Sequence, residues 1–319
     1  MRSNSSRCAI VIPVLNEESV IEKIAAGLFT AFASVNMNIL FVDDGSTDST
    51  WQIISALSQS NPSVGGLRFS RNFGKESAMI AGISGASGDC VIVMDSDMQH
   101  PPAAALEMFN LWRNNDYQII EAIKQRRQNE GAVNKLGAKA FYKLLRALAG
   151  IDLDNASDFK LLDRSVIDVF MSMPERQTFF RAMSGWTGLK TGKVYFEAPP
   201  RAGGVTKFSM IKLGKMAVNS ITAYTSMPMQ LVTLAGLGFF LFAVVMAAQT
   251  LFMKMIGKAA GGFTTVIVLL LLIGSILMVS LGIIGVYIAK IYNEVKFRPR
   301  YVLAETAGSN IIQRDSERI

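Results

Sequence analysis

Histidine and cysteine are almost missing from this chain: one histidine and two cysteines in 319 residues. Cys8 and Cys90 both fall in apolar, strand-like segments, so they offer neither a disulfide framework nor a thiolate metal site, as expected of a reducing compartment. The lone His100 stands before Pro101 and reads as a residue introducing a helix rather than as a ligand or base. Two glycine signatures are also missing. No Gly-x-Gly-x-x-Gly and no Gly-x-x-x-x-Gly-Lys-Ser/Thr follows a strand, which argues against a Rossmann dinucleotide fold and a P-loop. There is no internal repeat, and the polar residues 1–7 do not read as a signal peptide.

The most telling deficit is of charge. Lys215 and Lys254 bracket 38 uncharged residues, and Lys258 and Lys290 bracket another 31. A spanning helix takes about 20 apolar residues, so residues 229–252 and 263–288 are expected to cross a membrane. Buried soluble helices are a poor alternative, because 266–273 and 276–284 are largely apolar around the whole circumference. Only residues 253–262 separate the two spans, so they form a hairpin with both flanks on one side. Lys207, Lys212 and Lys215 precede it and Lys290, Lys296, Arg298 and Arg300 follow, against Lys254 and Lys258 in the connection. The positive-inside rule therefore places the flanks and the N-terminal region in the cytoplasm. The net charge of +7 is concentrated beside the spans, where anionic headgroups attract it. Without aromatic-basic interleaving or zinc spacing, the lipid bilayer is the expected partner and nucleic acid is not.

What is present is an alternation. Across residues 8–125, apolar strands are expected at 8–15, 39–42, 66–69, 90–94 and 117–122. Helices fill the gaps, one up to about Ser34 and others from near Ser49, Lys75 and Ala103. This is the rhythm of an α/β parallel sheet covered by helices. Further on, residues 132–149 read as a basic amphipathic helix, 158–162 and 193–197 as short strands, and a helix starts from Arg164. Residues 206–226 suit a helix lying in the membrane interface, and the tail after Ala304 is expected to be poorly ordered.

In parallel sheets ligands sit at the carboxyl ends of the strands, and there the polar clusters fall: Asn16-Glu17, Asp43-Asp44-Gly45-Ser46, Arg71-Asn72-Phe73-Gly74-Lys75 and residues 95–99. The strand at 90–94 runs into Asp95-Ser96-Asp97-Met98-Gln99. In an extended chain Asp95, Asp97 and Gln99 point to one side, giving two carboxylates and an amide oxygen suited to Mg²⁺ or Mn²⁺ and the phosphates they carry. A bare Asp-x-Asp reads first as an acidic turn capping the next helix; its place at a strand's end, with a second acidic strand end elsewhere in the chain, favours the metal site. There, one carboxylate of Asp43-Asp44 can accept from a nucleobase or ribose while Gly45 lets the backbone turn.

Together with Pro13-Val14-Leu15-Asn16-Glu17, these motifs make the chain resemble the family 2 glycosyltransferases. The likeness extends to the polyprenyl-phosphate branch. It is carried by Arg71-Asn72-Phe73-Gly74-Lys75, Asp97-Met98-Gln99-His100-Pro101-Pro102, Ser157-Asp158-Phe159-Lys160-Leu161-Leu162-Asp163-Arg164 and Arg201-x-x-Gly204-x-Thr206-Lys207-Phe208. Within that branch the two spans resemble those of bacterial undecaprenyl-phosphate (bactoprenol) glucosyltransferases, relatives of dolichol-phosphate mannose synthase. The resemblance implies a GT-A nucleotide-sugar-binding domain at 1–204, an interfacial region at 205–226, a two-helix hairpin within 227–290 and a cytoplasmic tail at 291–319. The catalytic domain would lie on the cytoplasmic side of the bacterial inner membrane, in a homo-oligomer such as a tetramer.

The resemblance carries Asp95, Asp97 and Gln99 to the metal–diphosphate site. It places Pro13, Val14, Asn16, Glu17, Asp43, Asp44, Asn72, Lys75, Asp95 and Ser96 around the nucleotide sugar. Arg201 and Lys207 come near the phosphates and Asp158 near the sugar or acceptor, so that Asp97, Asp158, Arg201 and Lys207 form the catalytic set. Val205 departs from the pattern, standing where Glu or another polar residue is frequent. Lys124, Arg126 and Arg127 either border the phosphates or form a solvated run.

The implied reaction is a metal-dependent, inverting transfer of a hexose, glucose from UDP-glucose, to undecaprenyl phosphate. Chemistry agrees. A phosphomonoester is largely dianionic at neutral pH, so it needs no protein base, and the enzyme must chiefly supply positive charge. Another nucleotide sugar (aminoarabinose, N-acetylhexosamine or galactose) would use the same acceptor. A processive polysaccharide synthase is disfavoured, because Gln177-Thr178-Phe179-Phe180-Arg181 has neither the spacing nor the tryptophan of Gln-x-x-Arg-Trp. A non-catalytic flippase or adaptor would leave the strand-end acids without a role.

Overall fold

The computed structural model describes residues 2–3, 5–125, 157–173, 180–197, 227–257 and 262–308. Two compact units divide the chain, one built on a sheet and one holding two long helices. The central strands β1 (Cys8–Val14) and β2 (Met37–Asp43) are near-continuous apolar runs, and β1 is buried along its whole length. Strands buried on both faces read in this way. They are joined by β3 (Val64–Phe69), β4 (Cys90–Val93), β5 (Ile119–Lys124), β6 (Lys160–Asp163), β7 (Thr191–Phe196) and β8 (Leu303–Ala307). The sheet order is β7-β5-β6-β4-β1-β2-β3-β8.

Helices α1 (Ile21–Ala31), α2 (Thr50–Ser60), α3 (Lys75–Gly85), α4 (Pro102–Asn114), α5 (Arg164–Ser172) and α6 (Phe180–Trp186) connect or follow the strands. Alternate residues of β1 feed two cores, as the strand period of two requires. Ile10 and Ile12 belong with Leu28, Trp51, Phe109 and Trp112 from α1, α2 and α4. Val11 belongs with Met79, Ile83, Val166 and Phe170 from α3 and α5. Gly82 allows α3 its close approach, since a Cβ there would collide with Val11 on β1. That contact helps set where Lys75, the first residue of α3, is presented.

The sheet is mixed, not purely parallel as the alternation predicts. The β1–β2, β1–β4, β2–β3 and β5–β7 pairs are parallel, whereas β6 runs antiparallel to both β4 and β5. The consequence is functional. The N-terminal end of β6 lies beside the carboxyl end of β4, with Lys160 opposite Val93, so residues just before β6 reach the rim where ligands bind. The tail after Ala304 also departs from expectation. Residues 303–307 form β8, antiparallel to β3, because the β3 edge offers unpaired backbone groups and Glu305 finds Arg68 at 2.6 Å.

The second unit comprises α7 (Met227–Met255) and α8 (Phe263–Val295), 29 and 33 residues long. At about 1.5 Å per residue these measure roughly 43 and 50 Å, beyond the roughly 30 Å of a hydrocarbon core. Both are long and apolar enough to cross a membrane. The second continues past the expected Ile288 and takes in Lys290 and Glu294. Three of their hydroxyls bond back to the helix: Thr233, Thr250 and Ser280 donate to the carbonyls of Met229, Met246 and Ile276, a device that suits apolar surroundings. The helices expected at 132–149 and 206–226 lie outside the described residues.

Candidate active site

Two acidic turns flank the end of β1. The amides of Asp44 and Met94 donate to the carbonyls of Val14 and Val11 at 3.0 and 3.1 Å, so the parallel ladder itself delivers residues 43–46 and 95–99 to either side of Asn16 and Glu17. Asn16 adopts φ +55° and is pinned there. Its amide donates to Ser46 Oγ and its Oδ1 accepts from the Thr47 amide, both at 2.9 Å. The Glu17 amide donates to Thr50 Oγ1 at 2.8 Å. Gly45 (φ +77°) is required by the approach of the next loop, because a Cβ would stand 2.6 Å from the Arg71 carbonyl carbon.

The two adjacent aspartates prove different. Asp44 accepts from the Phe73 and Gly74 amides at 2.7 and 3.0 Å, fastening the loop that leads to Lys75; burial pushes its carboxyl up despite those bonds. Asp43 is fully buried, its Oδ1 taken by the Ser46 amide at 2.8 Å. Asp43, which the resemblance carries to the nucleotide, holds the turn through this bond as the last residue of a buried strand. Pro13 and Val14 are buried in β1, and Val14 belongs to the core. Asn72 is exposed at the rim and accepts from Arg71 through its carbonyl.

Residues 95–99 do not continue β4 in extended form. The strand ends at Val93, Met98 sits at φ +58°, and Asp97 Oδ1 accepts from the Gln99 amide at 3.1 Å. A short aspartate side chain readily captures the amide two residues on, and the expected alternation of Asp95, Asp97 and Gln99 is lost to that turn. His100 is more than a residue introducing a helix. Its Nδ1 accepts from the Asp95 amide at 2.9 Å, and its ring stacks on Phe159 at 4.4 Å. Burial pushes His100 below the usual imidazole range, which suits an acceptor Nδ1. It braces the acidic turn against the segment carrying Asp158.

Asp158 sits just before β6, where the antiparallel pairing puts it beside the β4 end. Lys75 Nζ bridges it to the acidic turn, 2.8 Å from Asp158 Oδ2 and 2.6 Å from Asp95 Oδ1. Arg181 of α6 grips Asp158 with a two-pronged fork, Nε to Oδ1 at 2.7 Å and Nη2 to Oδ2 at 2.8 Å. Burial works against the charge on Asp158, but Arg181 and Lys75 win and hold its carboxyl down to about 2. Burial likewise opposes the charge on Lys75, yet Asp95 and Asp158 keep its ammonium above the usual range. Beneath them Lys160 is fully buried, paired with Glu121 at 2.6 Å and donating to the Arg181 carbonyl at 3.2 Å. Glu76 accepts from the Phe180 amide at 3.0 Å and fixes the start of the same helix.

Sequence reasoning missed Arg181, Lys160, Glu121 and Glu76. The one usable signal was a cation and an acid, Lys160 and Glu121, inside otherwise apolar strands. Ser96 is buried and donates to Glu17 Oε1 at 3.3 Å. Burial first, then the neighbouring Asp97 and Asp48 charges, push the Glu17 carboxyl up against that bond. The rim is thus negative where a cation would relieve it. Among the described residues no group of three or more His, Cys, Asp or Glu is placed to hold a metal. Two carboxylates are nevertheless a sufficient donor set for Mg²⁺, which is usually held by one or two of them together with substrate phosphates. Asp95 and the exposed Asp97 are two such carboxylates on one turn; Asp95 Oδ1 is held by Lys75 Nζ at 2.6 Å, and the Gln99 amide oxygen accepts from Lys124 Nζ at 3.3 Å. Arg201 and Lys207, with Arg126 and Arg127, lie outside the described residues.

The sequence model of the family described as glycosyl transferase family 2 matches residues 9–170, the span that holds both acidic turns, Lys75 and Asp158. The chain belongs to glycosyl transferase family 2. A bactoprenol glucosyl transferase of Shigella phage SfII is 33% identical over 311 residues, covering 95% of this chain and 99% of that protein. A prophage bactoprenol glucosyl transferase homolog of Escherichia coli is 34% identical over 301 residues, covering 93% and 98%. An uncharacterized glycosyltransferase of Synechocystis sp. is 35% identical over 304 residues, covering 94% and 95%. Among solved structures, glucosyl-3-phosphoglycerate synthase from Mycobacterium tuberculosis in complex with phosphoglyceric acid aligns with 68% of this chain and 78% of its own. The sequence identity is 20% and the TM-score 0.50, a likeness of fold. The GT-A architecture expected from the sequence is the architecture of this glycosyltransferase domain.

Proposed function

We propose that this family 2 glycosyltransferase transfers glucose from UDP-glucose to undecaprenyl phosphate, with inversion, at the cytoplasmic face of a bacterial inner membrane. The observation that carries the reading is joint. The relatives named bactoprenol glucosyl transferase match more than nine-tenths of the chain, and the polar residues of four strand ends converge on one rim. Bactoprenol is undecaprenol, and a lipid acceptor gives the two apolar helices a purpose.

In this reading Asn16, Glu17, Asp44, Asn72 and Ser96 line the nucleotide side of the rim. Asp95 and Asp97 hold a divalent cation, Mg²⁺ or Mn²⁺, which when bound neutralises charge on the donor diphosphate. An acceptor phosphate oxygen attacks the anomeric carbon. The bond from that carbon to the diphosphate breaks with its electron pair leaving on UDP, and no proton has to be removed from a dianionic nucleophile. Lys75 and Arg181, anchored on Asp158, supply fixed positive charge beside the acidic turn. Such preorganised charge is worth most where water is excluded. Asp158 acts as the anion that orients these cations, since a carboxylate held near 2 by two partners is a poor proton acceptor. Arg201 and Lys207 would add charge for the acceptor phosphate, Arg as a fork and Lys as a point charge. A homo-oligomer is part of the proposal.

The test is incubation of the purified protein with undecaprenyl phosphate and a panel of nucleotide sugars, followed by mass spectrometry of the lipid. A hexosyl-phospho-undecaprenol formed from UDP-glucose is expected. A product only from another nucleotide sugar would replace the donor, and no lipid product from any member of the panel would overturn the acceptor. Orientation has its own test. The charge asymmetry around the hairpin predicts that a cysteine at Gly261 reacts with an impermeant maleimide in intact spheroplasts, whereas one at Ser309 does not. The reverse labelling would refute a cytoplasmic catalytic domain.

A further inference from the structure

Glu305 stands 237 residues beyond Arg68 in the chain, yet its Oε1 lies 2.6 Å from Arg68 Nη1. Its other oxygen accepts from the Trp51 indole Nε1 at 2.9 Å. We propose that Glu305, carried by β8, is a positioning residue for the nucleotide-sugar rim, acting through Arg68 and Asp43. The proposal rests on the reading of that rim as the nucleotide-sugar site.

The path begins at Asp43. Its Oδ2 is buried and takes no hydrogen bond; its ion-pair partner is Arg68 Nε at 3.5 Å. Arg68 lies opposite Asp43 in the β2–β3 register. A buried carboxylate must have a nearby cation or a full set of donors, and here one oxygen depends on Arg68. The Arg68 side chain is itself 28% exposed, so solvent competes for it. Glu305 holds the guanidinium against that competition, and the Trp51 ring 5.9 Å beneath it limits its swing. Arg68 is thus clasped between a buried carboxylate and an exposed one.

The other end of the path is the rim. Asp43 Oδ1 takes the Ser46 amide, and Ser46 Oγ takes the Asn16 amide. Glu305, Arg68, Asp43, Ser46 and Asn16 form an unbroken polar chain from the edge strand to the loop bearing Asn16 and Glu17. Loosening its outer end lets the turn at residues 43–46 relax. β8 also pairs with β3 through its backbone, with a register shift between Arg68 and Phe69, so a melting temperature read beside the kinetics separates loss of the strand from loss of the Glu305 side chain.

The experiment uses the full-length protein in lipid nanodiscs with Mn²⁺, UDP, UDP-glucose and undecaprenyl phosphate. Glu305→Gln retains an acceptor for Trp51 and removes the charge facing Arg68; Arg68→Lys keeps the charge and removes the fork. Each is expected to weaken UDP binding and raise the KM for UDP-glucose about fivefold, with kcat and the acceptor KM unchanged within about twofold. The double variant should be less than additive, because both act on one contact. Thr306→Ala, a control on the same strand, should bind UDP as the wild type does. Unaltered UDP affinity in both single variants would overturn the proposal, as would an equal shift in Thr306→Ala or a fall in kcat matched by a lower melting temperature without a KM change. A wild-type protein that binds no UDP removes the nucleotide-sugar reading and this proposal with it. Normal wild-type binding with indifferent variants removes this proposal alone.

Discussion

Asp97→Asn is expected to lower transfer by at least about a hundredfold, the scale on which a single preorganised electrostatic partner acts, while leaving the fold and its insertion intact. The local geometry makes this a clean substitution. Asp97 is exposed, and the bond its Oδ1 accepts from the Gln99 amide is equally open to an asparagine oxygen. The turn is therefore preserved and only the charge is lost. Mn²⁺ affinity, read by electron paramagnetic resonance, should fall in parallel with turnover. Near-normal turnover at saturating metal would sink the assignment of Asp97 to the cation.

Asp158→Asn should behave in the opposite way, losing stability as well as activity. Asp158 is buried and carries the fork of Arg181 and the ammonium of Lys75. An amide of the same shape cannot neutralise two cations, and stripping one partner from a buried ionic group costs about 3–5 kcal/mol. Thermal melting should show a marked drop, and turnover should fall by more than about tenfold as Lys75 and Arg181 lose their anchor. The sign of the pH dependence follows from the depressed carboxyl. Its folded value near 2 lies below the ordinary 3.8, so the stabilisation is fully present above the ordinary value and is lost as pH falls through about 2. The shift corresponds to about 2 kcal/mol, less than the variant's expected deficit because the variant also removes the anion from the Arg181 fork and from one side of Lys75. Between pH 5 and 8 this term is flat. An acid limb in that window that vanished in Asp158→Asn would show Asp158 titrating there and contradict the ion-paired assignment.

How much of this was legible in the sequence depends on whether the signal was local. The strands β1 to β5 announce themselves as apolar runs between turn residues, and the starts of α2, α3, α4 and α5 fall within a residue or so of expectation. The direction of β6 was not legible: Lys160-Leu161-Leu162-Asp163 is compatible with either sense, and only its fit between β4 and β5 decides. For the same reason Asp158 could be picked out from its motif but not joined to Lys75 and Arg181, which approach from α3 and α6. The acidic turn was found, and its shape was misjudged, because the capture of the Gln99 amide by Asp97 outweighs continuation of the strand. β8 escaped notice because Leu303–Ala307 is exposed for four of its five residues and has no buried face to generate alternation. Its stabilisation comes from a distant edge.

That distant edge has a consequence for how the protein is made. β3 emerges during synthesis long before β8, and both long apolar helices are produced in the interval. Until they are, the growing chain carries the outer side of β3 without its final neighbour, and an unpaired strand invites pairing with another nascent chain. A charged residue on an edge strand disfavours such pairing, and β3 carries Arg68, which Glu305 meets only once β8 has been made. The sheet can therefore be completed only after both long apolar helices have been synthesised.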